Sequence, residues 1–385
     1  MAQQSLILFD TFLAILSFPG GSAVRFDSRR NLFYTTRLTK FKASLAGTLL
    51  FTQFISSSVQ CLFIDHAETF EFNLCVVIVF SITLPLTAYI PHIFQPSEIV
   101  RVCNLTSNYA EMFKRNWTLK QNDKSRNTLF YVYLVIAVVS TWYYFVGSFT
   151  TYFWAELPIG WTFLISKRSK HYHTVLVMFM GSASFCLYIT VAVLVILVYF
   201  FIWMSALLIP IHSTEFNATL PAHKYLTHPQ FRHPTNLPLE YRKFQILHLH
   251  VMQVVGLFLI PFQAIATNFV LYTNFILIRH WNEMDYSEKN VIAFWTVGIQ
   301  IFWILALHFG GKFYLDGKLN KFSWKFIPTK NSEEKKYLSR FRKSCPPLGI
   351  GYRGYFIIKP LSVLKFLKGV VRGTIFYNKN PQTPE

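Results

Sequence analysis

Residues 174–211 read TVLVMFMGSASFCLYITVAVLVILVYFFIWMSALLIPI and contain no Asp, Glu, Lys or Arg. An uncharged run of this length predicts a transmembrane helix, because about 20 helical residues cross the hydrocarbon core of a bilayer. A helix of this length extends about 57 Å, nearly twice the hydrocarbon thickness. We therefore expect the helix either to tilt and emerge on one side of the membrane, or to break near Gly181-Ser182 into two short spans.

The composition is that of a membrane protein. Of the 385 residues, 52% are hydrophobic and 40 are Phe, and 14% are charged, whereas soluble domains carry roughly 25% charged residues. The five cysteines form no CxxC pair, so neither a zinc site nor a disulfide-stapled ectodomain is indicated. Cys61 and Cys75 flank one short loop, and two unpaired residues are favoured there over a pair.

Further uncharged intervals complete the predicted architecture, an all-α, polytopic transmembrane helical bundle with six clear spans and a seventh, C-terminal helix. The six intervals are residues 43–64, 72–97, 127–155, 174–211, 244–278 and 290–311. The predicted organisation is a cytoplasmic N-terminal segment with a surface helix (1–42), the six-span bundle with cytoplasmic extensions of spans four and five (43–311), a basic cytoplasmic segment (312–353), the final helix (354–377) and a tail (378–385).

The basic residues of the linking segments predict the orientation of the chain. Alternate segments, among them 1–42 and 98–126, hold 32 of the 37 Lys and Arg residues, and the other segments hold 5. Because Lys and Arg near span ends are retained in the cytoplasm, we expect a cytoplasmic N-terminus in a multi-pass plasma-membrane protein. The net charge of +19 then lies at the anionic inner leaflet, and no nucleic-acid partner is needed to explain it. The sequons at Asn104, Asn116 and Asn217 lie on the predicted inner side, and their number is that expected by chance.

The last apolar segment carries a basic stripe. Lys365, Lys368 and Arg372 fall on one helical face, opposite Val363, Phe366, Leu367, Val370 and Val371. Two arrangements satisfy this pattern. The helix either lies in the inner interface with its lysines among the headgroups, or it crosses the membrane with the stripe facing water or protein.

No catalytic or metal-binding motif is present. The sequence lacks an HxxxH box, a GxSxG elbow and a P-loop, so we expect neither an enzyme nor a bound cofactor or metal. Aromatic residues near the outer end of the third span, Trp142, Tyr143, Tyr144 and Phe149, form either an interfacial belt or an apolar ligand pocket. Gln263 and Gln300 are polar anchors for such a pocket, or interhelical hydrogen-bonding residues.

The chain resembles the arthropod chemoreceptor superfamily of gustatory and odorant receptors. The resemblance lies in the size, the cytoplasmic N-terminus, the long fourth and fifth helices and the basic segment before one last helix. It extends to Gly354-Tyr355-Phe356 followed by Leu361, Leu364 and Tyr377, whereas the Thr-Tyr…Gln-Phe signature of gustatory receptors is absent. The resemblance implies seven spans, an extracellular C-terminus and a tetrameric ligand-gated cation channel whose last helices line the pore. The basic stripe is at odds with cation conduction, because a ring of lysines repels cations.

Two functions follow from these patterns. The first is a chemosensory receptor, a ligand-gated ion channel subunit whose partners are the lipid bilayer, a small organic ligand and further subunits in a homo- or hetero-oligomer. The alternative is a six-span structural or scaffolding protein whose basic tail lies on the inner leaflet.

A C-terminal epitope tag distinguishes the two topologies. We expect antibody to reach the tag in intact cells, since seven spans place the C-terminus outside when the N-terminus is cytoplasmic. Staining that requires permeabilised cells would leave six spans and contradict the channel hypothesis.

Overall fold

The structure is a computed structural model that describes residues 10–11, 13–15, 18, 20–64, 69–119, 169–352 and 355–379. It is an all-α fold with two short hairpins. The helices are α1 (Arg37–Phe63), α2 (Phe70–Phe94), α3 (Pro96–Trp117), α4 (Tyr172–Pro210), α5 (Asn236–Arg279), α6 (Tyr286–Ser323), α7 (Ser332–Ser344) and α8 (Ser362–Lys379). The strands are β1 (Arg25–Asp27), β2 (Leu32–Tyr34), β3 (Gly351–Tyr352) and β4 (Phe356–Ile357), paired as two antiparallel hairpins. The third predicted span lies outside the described residues.

Several helices have the length and apolarity needed to cross a membrane. Within the described ranges these are α1, α2, the segment Leu259–Arg279 of α5 and the segment Glu288–Phe326, which begins within α6. Helix α4 continues without a break through Gly181 and Ser182. The sixth interval was expected to end at Gly311, but α6 continues to Ser323, because Lys312, Asp316 and Lys318 end an uncharged run without ending a helix.

Helix α3 occupies a segment that the sequence analysis treats as a link between spans. It begins with Pro96 at its first turn and buries Ile99, Val102, Thr106, Tyr109 and Phe113. This spacing of three and four residues places one apolar face against the protein, while the charged residues occupy the other face. The segment therefore packs as an amphipathic helix, although its charges exclude it from a search for uncharged spans.

Beyond the apolar spans, one end of the bundle is filled by aromatic side chains. We call this group the aromatic cluster; it comprises Val102, Tyr109, Phe113, Leu208, Ile211, Phe216, Phe231, Leu237, Tyr241, Phe244, Leu247, Val251, Phe313, Trp324, Ile327, Leu338, Phe341, Cys345 and Leu348. Tyr241 meets the rings of Phe216 and Trp324 edge-on, with centroids 5.3 and 4.7 Å apart. Such edge-to-face pairs add about 0.5–1.5 kcal/mol each beyond the area that they bury.

Side-chain hydrogen bonds close the aromatic cluster. Asn320 donates from Nδ2 to the carbonyl of His212 at 2.6 Å, and Trp324 donates from Nε1 to the carbonyl of Phe216 at 2.9 Å. Both carbonyls belong to the turn that follows α4, of which Ile211–Glu215 is π-helical. The end of α6 is thereby joined to the end of α4.

The proline-rich link between α4 and α5 folds around the buried carboxylate of Glu215. This carboxylate accepts hydrogen bonds from the backbone N–H of Leu226 at 3.1 Å and from Thr227 Oγ1 at 2.6 Å. Arg232 donates to Thr227 Oγ1 at 2.9 Å and lies over the ring of Tyr225, 3.6 Å from its centroid. Because several donors meet the carboxylate, a link containing three prolines is ordered with only short helical turns.

A second apolar group, the bundle cluster, lies between the spans. Its members are Leu74, Val77, Leu84, Phe262, Ala266, Phe269, Val270, Ile276, Met284, Ile292, Trp303, Ala306, Leu307, Ile358, Phe366 and Val370. The β3–β4 hairpin reaches this cluster through Ile358 and leads into α8. Gly351, at φ 139°, takes a backbone conformation that favours glycine, and a Cβ there would collide with the carbonyl oxygen of Phe356.

The N-terminal segment packs against α3 through a sequon residue. Asn104 accepts a hydrogen bond from the N–H of Phe33 at 2.7 Å and donates from Nδ2 to the carbonyl of Phe33 at 2.9 Å. Both polar atoms of the Asn104 side-chain amide are therefore hydrogen-bonded to the β1–β2 hairpin.

The Sγ atoms of Cys61 and Cys75 lie 2.8 Å apart between α1 and α2, so these two free cysteines do meet.

A glycine of α6 sets how closely the chain before α8 approaches that helix. A Cβ at Gly311 would lie 2.9 Å from Pro360 Cα and 3.0 Å from the Lys359 oxygen, both backbone atoms. We expect Gly311→Ala to destabilise the protein, because overpacking costs about 1–3 kcal/mol and exceeds the gain in helix propensity of about 1 kcal/mol. The measurement is the thermal unfolding midpoint of the detergent-solubilised protein.

The matched control is Gly298→Ala on the same helix, where a Cβ meets nothing within 4 Å among the described residues. We expect this variant to be as stable as the wild type or more stable. Equal midpoints for the two variants would contradict the close approach at Gly311.

Two buried histidines beside the aromatic cluster, His212 and His248, predict that the protein loses stability in acid. His212 stacks on Phe313 with centroids 4.0 Å apart, and His248 stacks on the same ring at 5.2 Å. Burial, and secondarily the neighbouring His248, lowers the pKa of His212 to about 3. Burial lowers the pKa of His248 to about 4, against a smaller opposing effect of its hydrogen bond to the Gly349 carbonyl.

Below pH 6.5 the unfolded chain binds protons that the folded protein excludes, so the free energy of unfolding falls as the pH falls. The expected slope is about 1.4 kcal/mol per pH unit for each histidine down to its folded pKa. In unfolding experiments between pH 7.5 and 4.5, His212→Phe should remove part of this slope, and the exposed control His223→Phe should leave it unchanged. An unchanged slope in His212→Phe would show that His212 is not held neutral.

Candidate functional site

The predicted ligand-pocket residues fall into two groups. Trp142, Tyr143, Tyr144 and Phe149 lie outside the described residues. Gln263 and Gln300 are both half-buried. Gln300 donates from Nε2 to Asn274 Oδ1 at 3.5 Å, and Asn274 lies 11 residues beyond Gln263, about 16 Å along α5. The two glutamines therefore do not share one set of polar contacts.

Gln300 instead belongs to a polar ladder that reaches the last helix. Asn274, which accepts from Gln300, donates from its own Nδ2 to Thr374 Oγ1 at 3.5 Å. The three residues lie on α6, α5 and α8, so the ladder joins all three helices. Both contacts are long hydrogen bonds, and a small shift of α8 breaks or shortens the one between Asn274 and Thr374.

Helix α8 packs through one face, and the other face is exposed in the part of the chain that the structure describes. Phe366 and Val370 are buried in the bundle cluster, and Val363 and Leu367 pack against it. Lys365, Lys368 and Arg372 are exposed, on the face that the sequence pattern assigns to them. Val371 was expected on the apolar side, but its side chain is 56% exposed, because it follows Lys368 by three residues and shares its face.

A cavity of about 180 Å³ lies where the aromatic cluster meets the bundle cluster. Its walls come from the ends of α2 and α4, the start of α3, the middle of α5 and α6, and the two residues that flank the β3–β4 hairpin. The lining side chains are Pro91, His92, Ile99, Val102, Cys103, Met204, Ser205, Leu208, Ile209, His248, Val251, Met252, Val254, Val255, Leu259, Phe262, Phe302, Trp303, Ala306, Phe313, Ile350 and Ile358. Sequence reasoning missed the cavity, because its walls are brought together only by the fold.

Few polar groups face this cavity. His248 donates from Nε2 to the carbonyl of Gly349 at 2.9 Å, which fixes its tautomer. His92 stacks beside Tyr89 with centroids 6.0 Å apart, and its Nδ1 is buried with no hydrogen-bond partner among the described residues. Burial also raises the pKa of the Cys103 thiol, so this side chain acts as a small apolar group.

At the opposite end of the bundle, a polar network joins α2 to the turn after α5. Tyr272 donates to Asn73 Oδ1 at 2.6 Å, and Asn73 donates from Nδ2 to His280 Nε2 at 3.1 Å. His280 therefore carries its proton on Nδ1 and donates it to Glu283 at 2.9 Å. Each donor in this chain meets an acceptor, so the network positions the helices.

No arrangement of metal ligands is found in the described parts of the chain, where no three His, Cys, Asp or Glu side chains converge. His223 and His228 are exposed, and His233 bonds its neighbour Thr235 at 2.9 Å. The described geometry therefore offers an apolar cavity, a polar ladder and a partly covered last helix.

No protein-family model and no curated protein matches the chain. Solved structures do match. The insect olfactory receptor OR5 from Machilis hrabei superimposes with a TM-score of 0.66 at 10% identity, covering 98% of both chains. The same receptor in complex with eugenol gives a TM-score of 0.68 at 9% identity, covering 98% of this chain and 100% of the receptor chain. Over nearly its whole length, this chain therefore has the fold seen in the insect olfactory receptor OR5.

Proposed function

We propose that the chain is a non-enzymatic chemosensory receptor of the plasma membrane, a subunit of an oligomeric ion channel that a small organic ligand opens. The observation that carries the proposal is the likeness to OR5, which extends over 98% of both chains and includes α8. One of the OR5 structures is a complex with eugenol, a small organic molecule. The N-terminus is cytoplasmic in this proposal, in accordance with the distribution of basic residues.

In the proposed mechanism the ligand binds among the aromatic residues Trp142, Tyr143, Tyr144 and Phe149, and the response reaches α8 through the polar ladder. Two features support α8 as the moving element. It packs through one face, and its Thr374 accepts a long hydrogen bond from Asn274 of α5, which in turn bonds Gln300 of α6. An ion path along its exposed face favours anions, because Lys365, Lys368 and Arg372 repel cations.

Asn274 provides the test of this mechanism, because it contacts both neighbours in the ladder. An interhelical hydrogen bond in a membrane contributes about 0.6 kcal/mol on average, so losing two bonds changes an equilibrium by roughly threefold to tenfold. Because the ladder holds α8 against α5 and α6, we expect Asn274→Leu to lower the half-maximal ligand concentration by that factor and to raise the ligand-free current. The measurement is whole-cell current during a panel of small organic ligands, including eugenol.

The matched control is Asn268→Leu, an exposed residue of the same helix, which should leave the dose–response curve unchanged. A normal curve for Asn274→Leu would exclude gating through the ladder while leaving the receptor function intact. Absence of current for every ligand, with protein shown at the cell surface, would contradict the channel itself and favour the scaffolding alternative.

A further inference from the structure

We propose that the cavity between the two clusters is a second binding site, which takes a small aromatic molecule bearing one hydroxyl group. The described lining residues come from helices other than the third span, to which the proposed function assigns the ligand. The inference concerns binding alone, so it stands or fails independently of ion conduction.

The size of the cavity sets the size of the ligand. Its volume is about 180 Å³, and a cavity of about 150 Å³ lined by apolar side chains is large enough to bind benzene. A benzene ring with a short alkyl chain therefore fits. An apolar space of this kind gains no hydrogen bonds from water, so an apolar ligand meets little competition from solvent.

The chemistry of the walls favours an aromatic ring. Phe262, Phe302 and Trp303 line the cavity on the side of the bundle cluster, and rings stack offset or edge-on against such side chains. Met204 and Met252 lie on other walls. Their flexible thioethers adapt to the outline of a ligand and make favourable contacts with aromatic rings.

Two lining side chains offer the hydroxyl group a partner, His92 and Trp303. His92 Nδ1 and Trp303 Nε1 are buried and have no partner within the described ranges, and an unsatisfied buried polar atom costs free energy that a ligand hydrogen bond restores. A hydroxyl both donates and accepts, so it can pair with either tautomer of the imidazole. The other histidine of the wall, His248, is already bonded to Gly349.

The position of the cavity favours a binding site over a packing defect. Its walls combine residues of the aromatic cluster, such as Phe313, with residues of the bundle cluster, such as Trp303. Ile350 and Ile358, on either side of the β3–β4 hairpin, complete the lining. A bound molecule would therefore contact both clusters and the segment that leads into α8.

The test is photolabelling of the full chain in lipid nanodiscs with an alkylphenol that carries a diazirine. We expect mass spectrometry to find the label on cavity residues near Met204 and Met252, and 4-propylphenol to displace it at about fivefold lower concentration than propylbenzene. In His92→Phe the advantage of 4-propylphenol should shrink, because only Trp303 Nε1 remains to donate to the hydroxyl. Equal competition already in the wild type would overturn the role of His92.

Variants that fill the cavity provide the decisive comparison. Ala306→Phe should reduce the label at least tenfold, while Leu305→Phe, at a neighbouring side chain that is 48% exposed, should retain it. Val255→Phe fills the cavity from α5 and replaces Ala306→Phe if that variant fails to yield a monodisperse protein. Labelling that survives a folded filling variant would overturn the proposal.

A second probe distinguishes the ligand from membrane lipid. Nanodiscs containing a phospholipid with a diazirine in its acyl chain should leave the cavity residues unlabelled. If the acyl chain labels them and 4-propylphenol does not displace it, the cavity is a lipid site and the proposal is wrong.

Discussion

The mismatch between helix length and bilayer thickness governs this fold. Helices α4, α5 and α6 contain 39, 44 and 38 residues, and about 20 residues suffice to cross the hydrocarbon. Each helix therefore carries roughly as many residues outside the membrane as inside it. Outside the bilayer the apolar faces of these extensions lose the surrounding lipid and must be covered by protein. The aromatic cluster meets that need, with α3 and α7 supplying further apolar side chains.

Because protein covers these extensions, the backbone carbonyls and polar side chains at their ends need hydrogen-bond partners within the protein. Helix ends leave backbone carbonyls without partners, and the carbonyls of His212 and Phe216 receive side-chain hydrogen bonds from Asn320 and Trp324. His212 is itself enclosed between Phe244 and Phe313. A charged imidazole would be costly there, so the packing that buries the helix extensions also excludes the protonated form of His212.

The sequence predicted the spans better than it predicted their extensions. An uncharged run indicates a helix that can enter the bilayer, which is why α1, α2, α4 and the membrane part of α5 could be located. The continuation of α6 from Lys312 to Ser323 contains charged residues, so a search for uncharged runs does not detect it. For α3 the charges of segment 98–126 served as a guide to orientation, and the apolar spacing of Ile99, Val102, Thr106, Tyr109 and Phe113 was overlooked. The cavity and the ladder depend on side chains distant in sequence, such as His92 and Ile350, for which no local pattern exists.

The two clusters meet at the place where the chain turns towards its last helix. The segment from Leu348 to Ile358 leaves the aromatic cluster, forms the β3–β4 hairpin and joins the bundle cluster. Gly311 on α6 permits backbone contact with Lys359 and Pro360, directly after this segment, and Gly256 on α5 permits contact within it, where a Cβ would lie 3.0 Å from the Gly351 oxygen. Backbone packed directly on helices leaves little freedom for gradual deformation. In the proposed mechanism this connection and the ladder both link α8 to the rest of the bundle, and among the described residues α8 is also held by its apolar face.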